Sequence, residues 1–236
     1  MTEPIARPSP NHGPRRRGAR PDLVVIHHTA MESAAAALAR LRDPAAEVSA
    51  HYVIGERGTV WALVPEAARA WHAGAGAWGG ILDVNSHSIG IELVNAAALD
   101  AMPPFPEPQM AALEGLLDGI VARWGIPPER IIGHSDMAPG RKADPGPKFD
   151  WRRLALRGRA VWVEAPAPAG GDLADFARAA GVIGYRAPGG DWAAVLDAFR
   201  LRFRPGARGA LAPEDVELAR AVARRFPCVD GASAPA

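Results

Sequence analysis

One cysteine, Cys228, stands alone in 236 residues, so no internal disulfide can form and packing has to hold the fold together. No sign of charge prevails either. The 27 lysines and arginines face 26 acids, a formal +1, which excludes a global field for nucleic acid or an anionic membrane surface. Long apolar runs are also missing: nothing approaches the roughly 18 residues of a membrane span. Residues 1–20, rich in proline and arginine, contain no apolar segment of signal-peptide length and no cysteine for a lipid anchor. These absences lead us to expect a cytoplasmic protein, with a periplasmic or envelope location as the alternative if the start is truncated.

What is present is an ordinary globular composition, 48% hydrophobic and 22% charged, with room for one domain of about 150 residues and a smaller one. Residues 1–21 read as a disordered basic, Pro-rich arm. Leu23-Val24-Val25-Ile26 has the character of a buried central strand and delivers His27-His28-Thr29 at its end. A helix over Met31–Arg42, a hairpin from Ala50–Ile54 and Thr59–Val64, and a surface loop over Ala70–Val84 follow. Ser88–Val94 alternates, placing Ser88, Gly90 and Glu92 on the face opposite Ile89, Ile91 and Leu93, so one carboxylate rises from mid-sheet. Pro108 opens a helix with a stripe of Met110, Leu113, Leu117, Ile120, Val121 and Trp124, ended by Gly125. With no regular βαβ repeat, the expected fold is α/β: a mixed central β-sheet flanked by helices. Residues 163–171 have linker composition, residues 172–228 read as a small domain of three helices, and residues 229–236 as a disordered tail.

Chemistry concentrates in Gly133–Pro147, where a histidine, two aspartates and a lysine sit on a backbone stiffened by prolines and glycines. With an earlier histidine, His134 and Asp144 can form a His/His/Asp set on one zinc, leaving a fourth position open. Asp136 competes with Asp144 for the third place, or else braces the turn. Of His27 and His28, adjacent on a strand and pointing to opposite faces, only one can be a ligand. Glu92 suits a general base, since an acid on an apolar strand is costly unless it is paired or opens into a cleft. Lys142 can hold a developing oxyanion, where an ordinary loop lysine would merely be solvated. Trp71 and Trp78 offer stacking faces for sugar or peptide. His51, His72 and His87 are spare imidazoles for a cleft or for structure.

Five stretches, Val25–Thr29, Val48–Tyr52, Ala70–Gly74, Ser88–Glu92 and the Gly133–Pro147 loop, occur in the order seen in zinc N-acetylmuramoyl-L-alanine amidases of type 2. The chain resembles that family, which includes the peptidoglycan-recognition proteins, over roughly Asp22–Trp151, and is most similar to its AmpD/AmiD branch. The resemblance implies a catalytic domain over residues 22–162, with zinc on His27, His134 and Asp144, Glu92 as base, and Lys142 stabilising the tetrahedral intermediate. It implies hydrolysis of the amide between N-acetylmuramic acid and L-alanine, on muropeptides including 1,6-anhydro forms. His51, Trp71, His72 and Arg141 are then expected to touch substrate, and residues 172–228 to resemble a peptidoglycan-binding domain. A module that binds fragments without cutting them is the alternative.

Overall fold

The apolar run at Leu23 becomes a central strand that carries both histidines with it. The computed structural model describes residues 3–96, 101–164 and 166–228. Among these, the elements begin β1 (Ile5–Ala6), β2 (His12–Pro14), β3 (Leu23–His28), α1 (Ala34–Arg42), β4 (Tyr52–Ile54), β5 (Val60–Ala62), β6 (Ala68–Ala70), α2 (Val84–His87) and β7 (Ser88–Leu93). They continue α3 (Glu107–Trp124), β8 (Ile131–Gly133), α4 (His134–Met137), α5 (Trp151–Leu156), α6 (Leu173–Ile183), α7 (Trp192–Phe203) and α8 (Pro213–Arg225). The larger sheet has the order β1-β5-β4-β7-β3-β8, parallel at every junction except the β4–β5 hairpin.

Alternation along the central strands gives the sheet two apolar faces. Val24, Ile26, Ile89, Ile91 and Leu93 pack with Met110, Leu113, Leu117 and Ile120 of α3 and with Leu154 of α5. α3 stops where its sequence said it would, at Gly125, whose φ of 68° is cheap without a side chain and whose N–H closes on the Val121 carbonyl. Leu23, Val25 and Ile132 point the other way and join one core with Phe176, Val195, Phe199 and Val216 of the C-terminal helices. No helix among the described residues is long and apolar enough to cross a membrane.

Three expectations change here. Residues 3–20 are part of the fold: β1 lies parallel to β5, β2 pairs with β6, and the Arg15 guanidinium donates to the carbonyls of Glu66, Ser86 and Ser88. Proline supplies extended backbone there, and carbonyls far along the chain take the place of solvent around the arginine. The helices of residues 172–228 form no core of their own, because the sheet face they cover needs them. Residues 166–171 of the expected linker are irregular, and the expected tail, 229–236, lies outside the described residues. Finally, the Ala70–Val84 segment is anchored inward at Trp78, which is 2% exposed with its ring set edge-on to Tyr185 at 5.0 Å, so that indole offers no stacking face to a ligand.

Candidate metal centre

Parallel strands β7, β3 and β8 all end at the same edge of the sheet, and the polar residues begin there, as open α/β sheets generally place their sites. His27, one residue before the end of β3, pairs with Glu92 of β7 in direct register, so the two side chains rise on one face. His134 follows β8 as the first residue of α4. The loop beyond returns to bring Asp144 alongside, held by the Ser135 N–H on the Asp144 carbonyl at 2.9 Å.

Three atoms converge. His27 Nδ1 lies 2.9 Å from His134 Nδ1, Asp144 Oδ2 lies 3.0 Å from the first and 3.1 Å from the second, and the side chains are nearly buried. Such a triangle suits an ion about 2 Å from each corner, the distance at which zinc takes nitrogen and oxygen. His28, which lines the same cleft, and Asp136, which is fully buried, both lie outside the group able to hold a metal.

Hydrogen bonds behind the triangle assign its tautomers. The Ser88 hydroxyl donates to the Val84 carbonyl at 2.6 Å, leaving its oxygen to accept Nε2–H of His72 at 3.1 Å. His72 Nδ1 is then free to accept Nε2–H of His27 at 2.9 Å, and the His27 Nδ1 lone pair faces the centre. His134 is set the same way, Nε2–H donating to the Ala73 carbonyl at 2.9 Å. Burial, joined by repulsion from the neighbouring imidazole, lowers His27 to about 4, and burial holds His72 well below its ordinary value, so both rings stay neutral near pH 7. For Asp144, burial pushes upward, but the polar contacts of its carboxylate with His134 and His27 outweigh it and keep the carboxyl well below the usual range. Neutral imidazoles and an ionised carboxylate are the donor forms a cation requires.

A cleft of about 560 Å³ opens over this group, lined also by Glu92, Trp71, Arg141 and Lys142. Burial, reinforced by the Asp144 charge, raises Glu92 to about 8 against the opposing pull of Lys142, and Glu92 Oε2 has no hydrogen-bond partner among the described residues. Arg141 lines the cleft while donating to the Ala73 carbonyl at 2.6 Å and to that of Ala75. Lys142 is exposed at the rim.

Two residues expected at substrate sit elsewhere in the work of the site. His51 is fully buried, accepting the Gly90 N–H at 3.0 Å and donating to the Ala68 carbonyl at 3.2 Å, which makes it a clamp between strands. His72 lines the cleft but spends both nitrogens on His27 and Ser88. The sequence held one signal for this: a glycine inside a strand marks a close approach, and a Cβ at Gly90 would fall 2.5 Å from the His72 ring. Asp136 takes the bracing role, accepting Gly133 N–H at 2.8 Å, Arg202 at 2.9 Å and the Tyr185 hydroxyl at 2.5 Å. Arg202 and Tyr185 carry no local signal for that task.

Residues 17–147 match the N-acetylmuramoyl-L-alanine amidase family. The N-acetylmuramoyl-L-alanine amidase AmiD of Escherichia coli is 41% identical over 155 residues, 61% of this chain and 55% of that protein, so the match spans about half of that relative. The 1,6-anhydro-N-acetylmuramyl-L-alanine amidase AmpD of Enterobacter cloacae is 34% identical over 62% of this chain and 86% of its own. Among solved structures, E. coli AmiD with anhydro-N-acetylmuramic acid-L-Ala-D-gamma-Glu-L-Lys superposes with a TM-score of 0.79 at 34% identity, covering 89% of this chain and 92% of that one. AmpDh3 of Pseudomonas aeruginosa with anhydromuramic pentapeptide gives 0.81 at 32% identity, covering 90% and 95%.

Proposed function

Because the chain belongs to the N-acetylmuramoyl-L-alanine amidase family, we propose that it hydrolyses the amide joining N-acetylmuramic acid to L-alanine in muropeptides, 1,6-anhydro forms included, with zinc as its metal. The observation that carries this reading is the triangle of His27, His134 and Asp144 in one cleft with Glu92. Two neutral imidazoles and one carboxylate leave net positive charge on a dication, the donor set of hydrolytic rather than closed structural sites. Bound there, zinc would supply the charge that acidifies water, polarises the scissile carbonyl and draws Glu92 down from its metal-free value.

The chain's own groups account for the proton traffic. Glu92, beside His27 on the floor of the cleft and with an unpartnered oxygen, takes a proton from the attacking water and returns it to the departing alanine nitrogen. Lys142 at the rim offers its ammonium to the oxyanion that develops on the carbonyl. Trp71 and Arg141, also in the lining, are positioned for sugar or peptide. The ligand named with the E. coli relative supports the anhydro class of substrate.

Incubation of zinc-loaded protein with an anhydromuropeptide, followed by mass, is the test: separated sugar and stem peptide are expected. Intact substrate bound without turnover would establish the binding-module alternative instead. Glu92→Ala should keep zinc and lose about 10²–10⁴-fold in rate. The proposed setting is cytoplasmic recycling of imported fragments, and recovery of the protein only in the envelope fraction overturns that part.

A further inference from the structure

The C-terminal layer, through α7 and the connection that precedes it, supports the metal centre from behind at two separate places. The first is Asp136, fully buried two residues after His134. One carboxylate oxygen accepts Gly133 N–H, at the residue preceding the ligand, together with Arg202 of α7; the other accepts the Tyr185 hydroxyl. Arg202 is itself confined, 2% exposed, its guanidinium 4.2 Å from the Trp151 ring centroid and donating to the Ile131 carbonyl at 3.2 Å. The second place is the 73–79 segment, which supplies the carbonyl that orients His134. Its Gly79 N–H donates to the Gly184 carbonyl at 2.8 Å, and Arg186 donates to the Gly79 carbonyl at 2.7 Å.

We propose that Tyr185 and Arg202 are positioning residues of the metal site, and that the C-terminal helical layer holds the triangle by fixing the turn that carries His134. A buried charged pair need not add to stability, and such pairs are better explained where they select one geometry. Here the geometry selected is that of Gly133 and His134, whose ring must meet two donors from other segments within a few tenths of an ångström. This proposal rests on the metal-site reading above. It assigns the C-terminal helices a task inside the catalytic unit that does not depend on their binding any ligand.

The test uses the full chain in three variants: Tyr185→Phe, which removes one hydroxyl and keeps the ring; Arg202→Lys, which keeps the charge but loses the fork; and Val222→Ala, a cavity in the same layer away from Asp136. Zinc affinity is read by chelator competition, and amide exchange at Gly133 is read on zinc-free protein. Tyr185→Phe and Arg202→Lys should weaken zinc about tenfold or more and speed exchange at Gly133 by a similar factor. Val222→Ala should lower the melting temperature and leave both unchanged. Wild-type affinity and exchange in the first two variants would overturn the proposal, as would an equal loss of affinity in the third. If the wild type takes up no zinc, the proposed function fails by itself, and unchanged exchange at Gly133 would still sink the positioning role.

Discussion

His72 illustrates how much of a metal site is built by residues that never touch the metal. Its two nitrogens carry a directional chain of hydrogen bonds from Ser88 to His27, and reversing any link would present an N–H to the centre where a lone pair is needed. His72→Phe is therefore expected to weaken zinc by about 10–100-fold although the three ligands remain, measurable by chelator competition. Gly90→Ala should produce a comparable loss, because the added methyl occupies the space of the imidazole. Wild-type zinc affinity in both variants would show that His27 is oriented by something else. Asp144→Ala differs in kind: it removes a corner of the triangle, and metal content and turnover should disappear together.

At the scale of elements, β4 is tied to α3 by Glu66. Its carboxylate accepts from the Tyr52 hydroxyl at 2.7 Å, from the Trp124 indole at 2.6 Å and from Arg123, joining β4, the turn before β6 and the last turn of α3. Burial alone would raise Glu66, but the bonds from Arg123, Trp124 and Tyr52 outweigh it and hold the carboxyl below its usual 4.5. A depressed native pKa means that the unfolded chain binds the proton first. The stabilisation is thus complete above 4.5 and is lost as pH falls from there through the native value. Glu66→Gln should cost about 1–3 kcal/mol at pH 7. In urea unfolding, its deficit against wild type should shrink on acidification below 4.5; a constant deficit would mean the charge is irrelevant.

For the molecule as a whole, the N-terminal segment is the unexpected structural member. Arg15 is threaded among the carbonyls of Glu66, Ser86 and Ser88, while Ser9 and Asn11 are buried against Leu41, Asp43 and Val48. Arg15→Met would leave several buried carbonyls unpaired, a cost of about 2–4 kcal/mol. A fall of about 5–15 °C in melting temperature is expected for a domain of this size. A solvated arm would give no change.

Fold class, the strands carrying His27, Glu92 and Gly133, and the bounds of α3 followed from local pattern, because alternation and helix caps are properties of neighbouring residues. Residue chemistry likewise narrowed the ligands to His134, one of His27 and His28, and one of two aspartates, and the family resemblance picked His27 and Asp144. The physical reason for Asp144 rather than Asp136 and for His27 rather than His28, the place of His51 in the core, and the folding in of residues 3–20 all depended on partners remote in the chain. Asp136 meets Arg202 from 66 positions away, and His27 meets Asp144 from 117. Periodicity says which face a side chain takes. What lies opposite that face is settled by packing, and in a buried polar site the opposite group decides whether a residue is ligand, support or clamp.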